Sequence, residues 1–600
     1  MREGYRLAKV PFGVSWNVVL IVALSVFAWV PLVGPPYFLD AHDAPHSVFF
    51  LNQFDQAIRD GILYPRWGVD FALGYGYPLF NIYSTLAFYV AEVFHLLGAG
   101  LTAAVKLTHI LAFILSGLTM YAFAKRVLGA QAGVLAGIVY IYVPYHLLDV
   151  YVRSAFAESF AFIFLPLILL LFHELIDKRR ARDLVLAGLA YAGLFLTHAA
   201  TAFIFTMLLV PYVAFLILSR FRVGSSTRRL YPGQASLRAD WVEFLRLAGL
   251  SLGAAALALA LSSIFLLPML TEKGYIVESQ WTQGSFGYAK HFVYPSQFCS
   301  PFWGYGYAGE GLQDEMSLQL GVSATILAVV GVVYSLWKGV RSRRQIAFFL
   351  VAFLVIILAM MPAALSLWET LPLAAFVQFP WRLLGLATLV ISFLSGSAIH
   401  AWSGGSSLEE RCWQPALGIL LLVVVLASYS YTLPEYTAPS PRSEQPVAVI
   451  DFESFSPPDR VGMTVWVTEQ PHDTPLVEQY LEGERLIKAR ALAEEATVEM
   501  IRHGAASEEI RVNSAAGTEV QFYTYYFPGW RGYVDGQEEE IYPMGPHGLI
   551  TLQVPPGEHR VLIRLGYTPV RVFGTVISVL SFLLALVVLV GNGVVRRRLT

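Results

Sequence analysis

Charge is scarce in this sequence. Only 14% of its 600 residues are Asp, Glu, Lys or Arg, whereas soluble proteins carry roughly a quarter. The chain also has only two cysteines and no basic stripe of the kind that binds nucleic acid. The shortage of charge excludes a string of soluble domains, and the sequence predicts no nucleic-acid partner.

Long apolar runs take the place of charge. Hydrophobic residues make up 56% of the chain and the mean hydropathy is +0.57. The runs are about 20 residues long, the length of a membrane-spanning helix. The first run, 16–33, lacks a small-residue cleavage site, so we interpret it as a retained signal anchor. The sequence therefore predicts a multi-pass protein of the plasma membrane, in contact with lipid.

The distribution of basic residues selects a topology. If the apolar stretch 78–97 crossed the membrane, basic loops such as 177–183 and 337–345 would lie outside, against the positive-inside rule. We therefore predict that 78–97 lies along the outer interface, that both termini are cytoplasmic and that about twelve helices cross. The predicted spans are 14–33, 101–124, 131–149, 156–175, 184–198, 200–219, 246–269, 317–337, 346–363, 382–402, 414–432 and 571–594.

The polar loops define the domains. We expect a transmembrane domain over 1–432 with a large first external loop at 34–100, and a final helix with a basic tail over 571–600. Between them, 433–570 alternates strand-like segments such as "TEVQFYTYYF" and "LITLQV" with turn signals. The predicted fold class is thus a polytopic α-helical membrane protein with an extracytoplasmic β-sandwich before its last helix.

Polar residues gather at the predicted outer ends of the helices. An ionisable group at a helix centre costs about 2.5–3.5 kcal/mol on insertion, so such residues point to function. A carboxylate could take the proton from an attacking hydroxyl, and arginines could hold a departing, lipid-anchored phosphate. The four groups are Asp40, His42, Asp43 and His46, followed by Arg66, Trp67 and Asp70; Arg153 and Glu158; His198; and Gln378, Trp381 and Arg382.

Structural roles are the alternative for these residues. Asp40 and Asp43 could cap a helix, Arg153 and Glu158 could pair only with each other, and Arg382 could reach the headgroups. His198 could be a satisfied polar residue between helices. The Asp and His residues near position 43 also have the ligand types of a divalent-metal site, although we predict no metal and no other cofactor.

Several motifs resemble known membrane proteins. The segments "HDAPH", "GILYPRW", "GYGYPLFNIYS" and "VQFPWRLL" resemble bacterial proteins of the 6-pyruvoyl-tetrahydropterin synthase-related membrane family. The segments "YYFPGWRGYVDGQ" and "PPGEHRVLIRLGYTP" resemble the end of YfhO-type membrane proteins. The acid after the first span and the interfacial helix resemble the wider C-type (GT-C) glycosyltransferase superfamily.

This resemblance implies a transferase that moves a sugar from a polyprenyl-phosphate donor to an extracytoplasmic glycan, lipid or protein acceptor. It implies a base in the first external loop, Asp43 first and Asp40 second, with Glu158 as a second external acid. The phosphate-binding residues would be Arg153, Arg382 and Arg66. The expected substrate-binding residues are His42, His46, Trp67, Tyr83, His198, Gln378 and Trp381.

Departures from the superfamily leave other functions open. The sequence has no clear Asp-x-Asp pair in its second loop and no Trp-Trp-Asp-type signature, which disfavours metal-dependent transfer to protein asparagine and leaves room for a member without catalysis. A lipid or polysaccharide transporter or flippase is one alternative, although its polar residues would lie near the midplane. A non-catalytic membrane assembly subunit is the other.

Overall fold

The computed structural model describes residues 15–34, 41–227, 234–312, 315–371, 374–400, 409–434, 436, 442–455 and 463–597. Asp40, one of the two acids proposed as the base, lies outside these residues. The chain forms a bundle of helices and a C-terminal antiparallel sheet domain, which precedes the last helix. This confirms the predicted fold class of a polytopic helical membrane protein with an antiparallel sheet domain before its last helix; the extracytoplasmic side of that domain stays a prediction.

The bundle begins with helices that enclose the first loop. In chain order they are α1 (Trp16–Trp29), α2 (Ala44–Arg59), α3 (Leu79–Ile82), α4 (Leu86–Leu96), α5 (Leu101–Leu128), α6 (Ala130–Tyr142), α7 (Pro144–Tyr151), α8 (Phe156–Ala161) and α9 (Phe164–Lys178). The remaining helices are α10 (Ala181–Thr197), α11 (Ala199–Thr227), α12 (Gln234–Leu261), α13 (Ser263–Glu272), α14 (Ser279–Thr282), α15 (Pro295–Cys299), α16 (Val322–Lys338), α17 (Arg343–Ala359), α18 (Leu365–Thr370), α19 (Leu384–His400), α20 (Glu409–Ser428), α21 (Val447–Phe455), α22 (Val477–Glu482) and α23 (Pro569–Arg597).

Within the described residues, seven helices are long and apolar enough to cross a membrane, or up to nine if each of two bent pairs is one span. The bent pairs are α6 with α7, at 40°, and α17 with Pro362–Thr370, at 87°. Within the described residues each predicted span overlaps one or two helices, but α10, α16 and the apolar stretch Ala416–Thr432 are shorter than the seven, so the count of twelve stays a prediction. Residues 78–97 form α3 and α4, and neither is long enough to cross.

Small residues allow the bundle to pack closely around α5 and α6. A Cβ on Gly137 would lie 2.7 Å from the carbonyl oxygen of Gly117, and one on Gly133 would lie 2.8 Å from that of Tyr121. In a membrane such contacts supply much of the helix–helix packing. The short helix α7 follows α6 after the bend at Pro144.

The sheet domain consists of two antiparallel sheets. One has the order β1-β4-β8-β7 and the other β2-β3-β9-β5-β6, and the core between them includes Phe522, Leu552 and Ile563, each fully buried. The strands are β1 (Ala489–Ala491), β2 (Thr497–Gly504), β3 (Ser507–Ser514), β4 (Thr518–Tyr525), β5 (Trp530–Val534), β6 (Gln537–Glu539), β7 (Tyr542–Met544), β8 (Leu549–Val554) and β9 (Gly557–Leu565).

A buried polar joint fixes the sheet domain to the first loop. The carboxylate of Asp70 accepts hydrogen bonds from Gln53 at 2.6 Å and Gln56 at 2.8 Å, both on α2, and from the hydroxyl of Tyr480 at 2.6 Å. The ammonium of the fully buried Lys488 donates to the carbonyl of Gly74. Since buried polar groups require such partners, α2 and the sheet domain are held as one unit. We call the end of the bundle at which this joint lies the sheet-domain end.

Candidate active site

Asp43 lies at the start of α2, at the sheet-domain end. Two backbone bonds attach this turn to the connection between α7 and α8, because the amides of His42 and Asp43 donate to the carbonyls of Val152 and Arg153 at 2.9 and 2.8 Å. Asp43 is the N-cap residue of α2, but its carboxylate makes no cap hydrogen bond and the residue is exposed. The capping role considered from the sequence is therefore not the role its side chain plays.

A buried ion cluster lies beside Asp43. The Nη1 atom of Arg153 donates to the carboxylate of Asp149, to Glu158 Oε2 at 3.0 Å and to the hydroxyl of Tyr145 at 3.3 Å. Glu158 Oε1 accepts from the same tyrosine at 2.8 Å. The intervening Ser154 has a φ of +48°, a left-handed conformation that L-residues adopt at a cost and that is enriched at functional sites.

Arg382 approaches this cluster from the turn that precedes α19. Its Nε lies 3.8 Å from Glu158 Oε2, and its Nη1 donates to Gln378 Oε1 at 2.7 Å and to the carbonyl of Val377 at 2.9 Å. Gln378, with a φ of +66°, also donates to the carbonyl of Trp281 at 2.9 Å. The ring of Trp381 lies 4.7 Å from the Arg153 guanidinium, a cation–π contact.

The arrangement leaves one acid and several arginine N–H groups unused. Asp149 and Glu158 face Arg153 and Arg382, so two acidic side chains lie against two basic ones, and Asp43 is the additional acid. The Asp43 charge acts on both arginines. Within the described part of the chain, Nη2 of Arg153 and Nη2 of Arg382 donate to no residue. These atoms could hold an anion.

Three more side chains border the cluster. Tyr83, between α3 and α4, experiences the charges of Asp43 and Arg382, and burial raises the pKa of its phenol, so the hydroxyl stays a proton donor. His42 Nε2 lies 3.2 Å from the carbonyl of Tyr305 and 3.0 Å from that of Gly306, and burial lowers the pKa of this imidazole. His198 contacts Thr201 Oγ1 at 2.7 Å and experiences the charge of Glu158.

The structure places Arg66, Trp67 and His46 outside the cluster. Arg66 donates to Asn81 Oδ1 at 2.9 Å and to the carbonyl of Ile264 at 3.0 Å, and its charged neighbours are Glu272 and Arg571. Trp67 packs edge-on against Trp530 of the sheet domain. The His46 ring lies 4.9 Å from that of Phe452. Trp67 and His46 thus contact residues of 433–570, whereas Arg66 lies near α13 and α23, so any substrate contact by these three residues stays a prediction.

The metal alternative finds little geometric support. The Nε2 atom of His42 faces two carbonyl oxygens, and the ring of His46 lies among aromatic side chains. Among the residues that the structure describes, no group of three or more His, Cys, Asp or Glu side chains is arranged to hold a metal ion.

Asp149 and Tyr145 were not among the residues proposed from the sequence. Asp149 is the last residue of the predicted span 131–149 and was counted as part of its apolar length. The signal that could have found it is its position four residues before Arg153, the spacing at which charged side chains on a helix meet. Tyr145 carries no comparable signal.

Comparisons with known proteins agree with the resemblance seen in the sequence. Residues 80–235 match the family described as "6-pyruvoyl-tetrahydropterin synthase related domain; membrane protein", which confirms that resemblance over this part of the chain. No curated protein sequence matches.

Similar solved structures include three membrane proteins. The Archaeoglobus fulgidus oligosaccharyltransferase in the apo form has a TM-score of 0.44 at 13% identity, over 78% of this chain and 59% of its own. The mycobacterial arabinofuranosyltransferase AftD has a TM-score of 0.43 at 13% identity, over 92% and 40%. ArnT from Cupriavidus metallidurans, solved with undecaprenyl phosphate, has a TM-score of 0.30 at 14% identity, over 81% and 96%. The chain thus spans less than two thirds of the length of each of the first two proteins.

Proposed function

We propose that the protein is a membrane glycosyltransferase that moves a sugar from a polyprenyl-phosphate donor to an acceptor at the sheet-domain end. In this proposal that end faces the extracytoplasmic water, and both termini lie in the cytoplasm. The acceptor hydroxyl attacks the anomeric carbon of the donor sugar and passes its proton to the Asp43 carboxylate. The bond between the anomeric carbon and the phosphate oxygen breaks, and polyprenyl phosphate leaves with the bonding electrons.

The observation that carries the proposal is the difference between Asp43 and the two neighbouring acids. Asp149 and Glu158 are buried against Arg153, so they are suited to hold that guanidinium in place. Asp43 is exposed and accepts no hydrogen bond through its side chain from any described residue. A general base must reach the proton it removes, and of these three acids only Asp43 has the required access.

The two arginines suit the leaving group. Negative charge develops on the phosphate as the sugar departs, and cations that are already positioned stabilise that charge without rearranging. Glu158 contacts Arg153 at 3.0 Å and lies 3.8 Å from Arg382, which fixes both guanidinium groups while their Nη2 atoms remain available. We expect these atoms to bind the donor phosphate.

The position of the cluster favours this function over transport. Transporter sites typically lie near the bilayer midplane between repeats. The cluster occupies the end of the bundle, where Asp43 and His42 bond to the α7–α8 connection. A site at this level can receive a lipid donor sideways from the bilayer and an acceptor from the water.

The test uses the full-length protein in lipid nanodiscs with radiolabelled polyprenyl-phosphate sugars. Release of sugar to water and to added acceptors is measured for the wild type, for Asp43→Asn and for Asp451→Asn. Asp451 is an exposed acid on α21 at the same end and serves as the matched control. We expect Asp43→Asn to lower transfer about a hundredfold or more, the usual contribution of a general base, with Asp451→Asn close to wild type.

Two results would contradict the proposal. Equal transfer by the wild type and Asp43→Asn would remove Asp43 from the role of base. A wild-type protein that transfers sugar from none of the donors, while it binds or moves the lipid, would favour a transporter or an assembly subunit.

A further inference from the structure

A short hairpin lies against His42, the residue before Asp43. Tyr305 pairs with Met316, the amide of Gly306 donates to the carbonyl of Glu315 at 3.0 Å, and the amide of Glu315 donates to the carbonyl of Tyr307 at 3.2 Å. The two arms of the hairpin lie close together: a Cβ on Gly304 would lie 2.3 Å from the carbonyl oxygen of Glu315. The segment "WGYGY" therefore needs its glycines for this turn.

The hairpin is anchored on both sides. On one side the ring of Trp303 stacks on Tyr431 at 4.5 Å, and the hydroxyl of Tyr305 donates to the carbonyl of Leu433 at 2.6 Å. On the other side His42 Nε2 lies within hydrogen-bond distance of the carbonyls of Tyr305 and Gly306. These contacts fix the hairpin to the residue next to Asp43.

Tyr307 and His42 together form an aromatic surface beside the proposed base, which we call the ledge. The ring of Tyr307 stacks on that of His42, with 4.1 Å between ring centroids and 19° between ring planes, and Tyr307 is 68% exposed. An exposed aromatic ring that is held by a second ring keeps one orientation. It offers a flat face to a ligand at little cost in conformational entropy.

We infer that the acceptor is a carbohydrate chain and that this ledge, formed by Tyr307 and His42, binds it. The inference rests on the proposed function and names its acceptor class. The C–H groups on one face of a pyranose or furanose ring pack against an aromatic face, while the hydroxyl groups at the ring edge stay free to make hydrogen bonds. A sugar seated on Tyr307 would present an edge hydroxyl toward Asp43.

A peptide acceptor fits this surface less well. Peptides in extended conformation bind through main-chain hydrogen bonds to an open strand edge. Here the amides of Gly306 and Glu315 bond within the hairpin, and the carbonyls of Tyr305 and Gly306 face His42. What this part of the hairpin does expose is the side chain of Tyr307.

The experiment measures binding and transfer separately. Saturation-transfer NMR on the full-length protein in nanodiscs detects binding of maltotetraose, mannotetraose and galactotetraose in the absence of donor. Transfer of radiolabelled sugar to the same oligosaccharides gives kcat and KM. The variants are Tyr307→Ala, Tyr307→Phe and the control Tyr567→Ala, which truncates another exposed tyrosine, 55% exposed, after β9.

We expect Tyr307→Ala to weaken binding of at least one oligosaccharide and to raise its KM about tenfold, the effect of losing one good stacking contact. Tyr307→Phe, which retains the ring, and Tyr567→Ala should match the wild type. Binding that needs Tyr307 without any transfer would support the ledge and contradict the transferase proposal. The inference is overturned if no oligosaccharide binds, if binding is unchanged in Tyr307→Ala, or if only peptide acceptors are glycosylated.

Discussion

Gly76 provides a sharp test of how the first loop is attached to the sheet domain. Its φ is +70°, and a Cβ at this position would lie 2.3 Å from Trp67 Nε1 and 3.1 Å from the carbonyl oxygen of Gly68. Trp67 cannot easily move away, because it is 2% exposed and packs against Phe527 and Trp530. The substitution Gly76→Ala therefore adds both backbone strain and a steric clash.

The expected loss of stability is the sum of the backbone strain and the steric clash. The left-handed conformation costs an L-residue about 1–2 kcal/mol, and forcing an extra carbon into a packed interior costs about 1–3 kcal/mol. We expect Gly76→Ala to lower the free energy of unfolding by about 2–5 kcal/mol. The matched control is Gly61→Ala: Gly61 has a φ of +82° but nothing within 4 Å of its Cβ position, so only the backbone cost of about 1–2 kcal/mol applies.

The assay is equilibrium denaturation of the detergent-solubilised chain, followed by tryptophan fluorescence. A third comparison places Gly76→Ala in a Trp67→Phe background, where the indole nitrogen that would clash is absent. The cost of Gly76→Ala should fall toward that of Gly61→Ala, because the two side chains then no longer collide. Equal costs for Gly76→Ala and Gly61→Ala, or no relief by Trp67→Phe, would refute this account of the joint.

Two further predictions concern charges. Asp149→Asn leaves Arg153 with one carboxylate partner instead of two. It should lower the free energy of unfolding, measured by equilibrium denaturation, by about 2–3 kcal/mol. A decrease below about 0.5 kcal/mol would mean that Asp149 carries no charge in the folded protein. Burial, together with the charge of Asp55, raises the pKa of Glu92 from 4.5 to about 7, so stability should fall as the pH rises from 4.5 through 7. The thermal stability of Glu92→Gln, measured at pH 5–8, should not fall in this way. A variant that loses as much stability with rising pH as the wild type would contradict this prediction.

The sequence predicted much of the site because polar side chains are expensive in a membrane. Arg153, Glu158, His198 and Arg382 were proposed for their positions at helix ends, and the structure brings His198 and Arg382, from distant parts of the sequence, to the pair formed by Arg153 and Glu158. Asp149 was missed because the span was counted by length. The bend at Pro144 makes α7 a separate short helix, and Asp149 lies on it one turn before Arg153.

The sequence could not separate the two halves of the first loop. Asp43 and Arg66 both follow the first span, and both were proposed for the same site. In the structure Asp43 faces the α7–α8 connection, whereas Arg66 lies with Glu272 and Arg571 near the last helix. Apart from Asn81, the groups around Arg66 are the carbonyl of Ile264, Glu272 and the like-charged Arg571. They come from segments about two hundred and five hundred residues away, and no local pattern predicts such contacts.

The joint with the sheet domain gives a physical reason why this domain accompanies the site. Asp43 is the N-cap residue of α2, and Gln53 and Gln56 further along the same helix bind Asp70, which Tyr480 also holds. A helix fixed in this way cannot rotate about its axis without breaking buried hydrogen bonds, each of which is costly to lose. A base gains rate from being held in a productive geometry, so the sheet domain would contribute to catalysis by fixing α2 even if it never contacts a substrate.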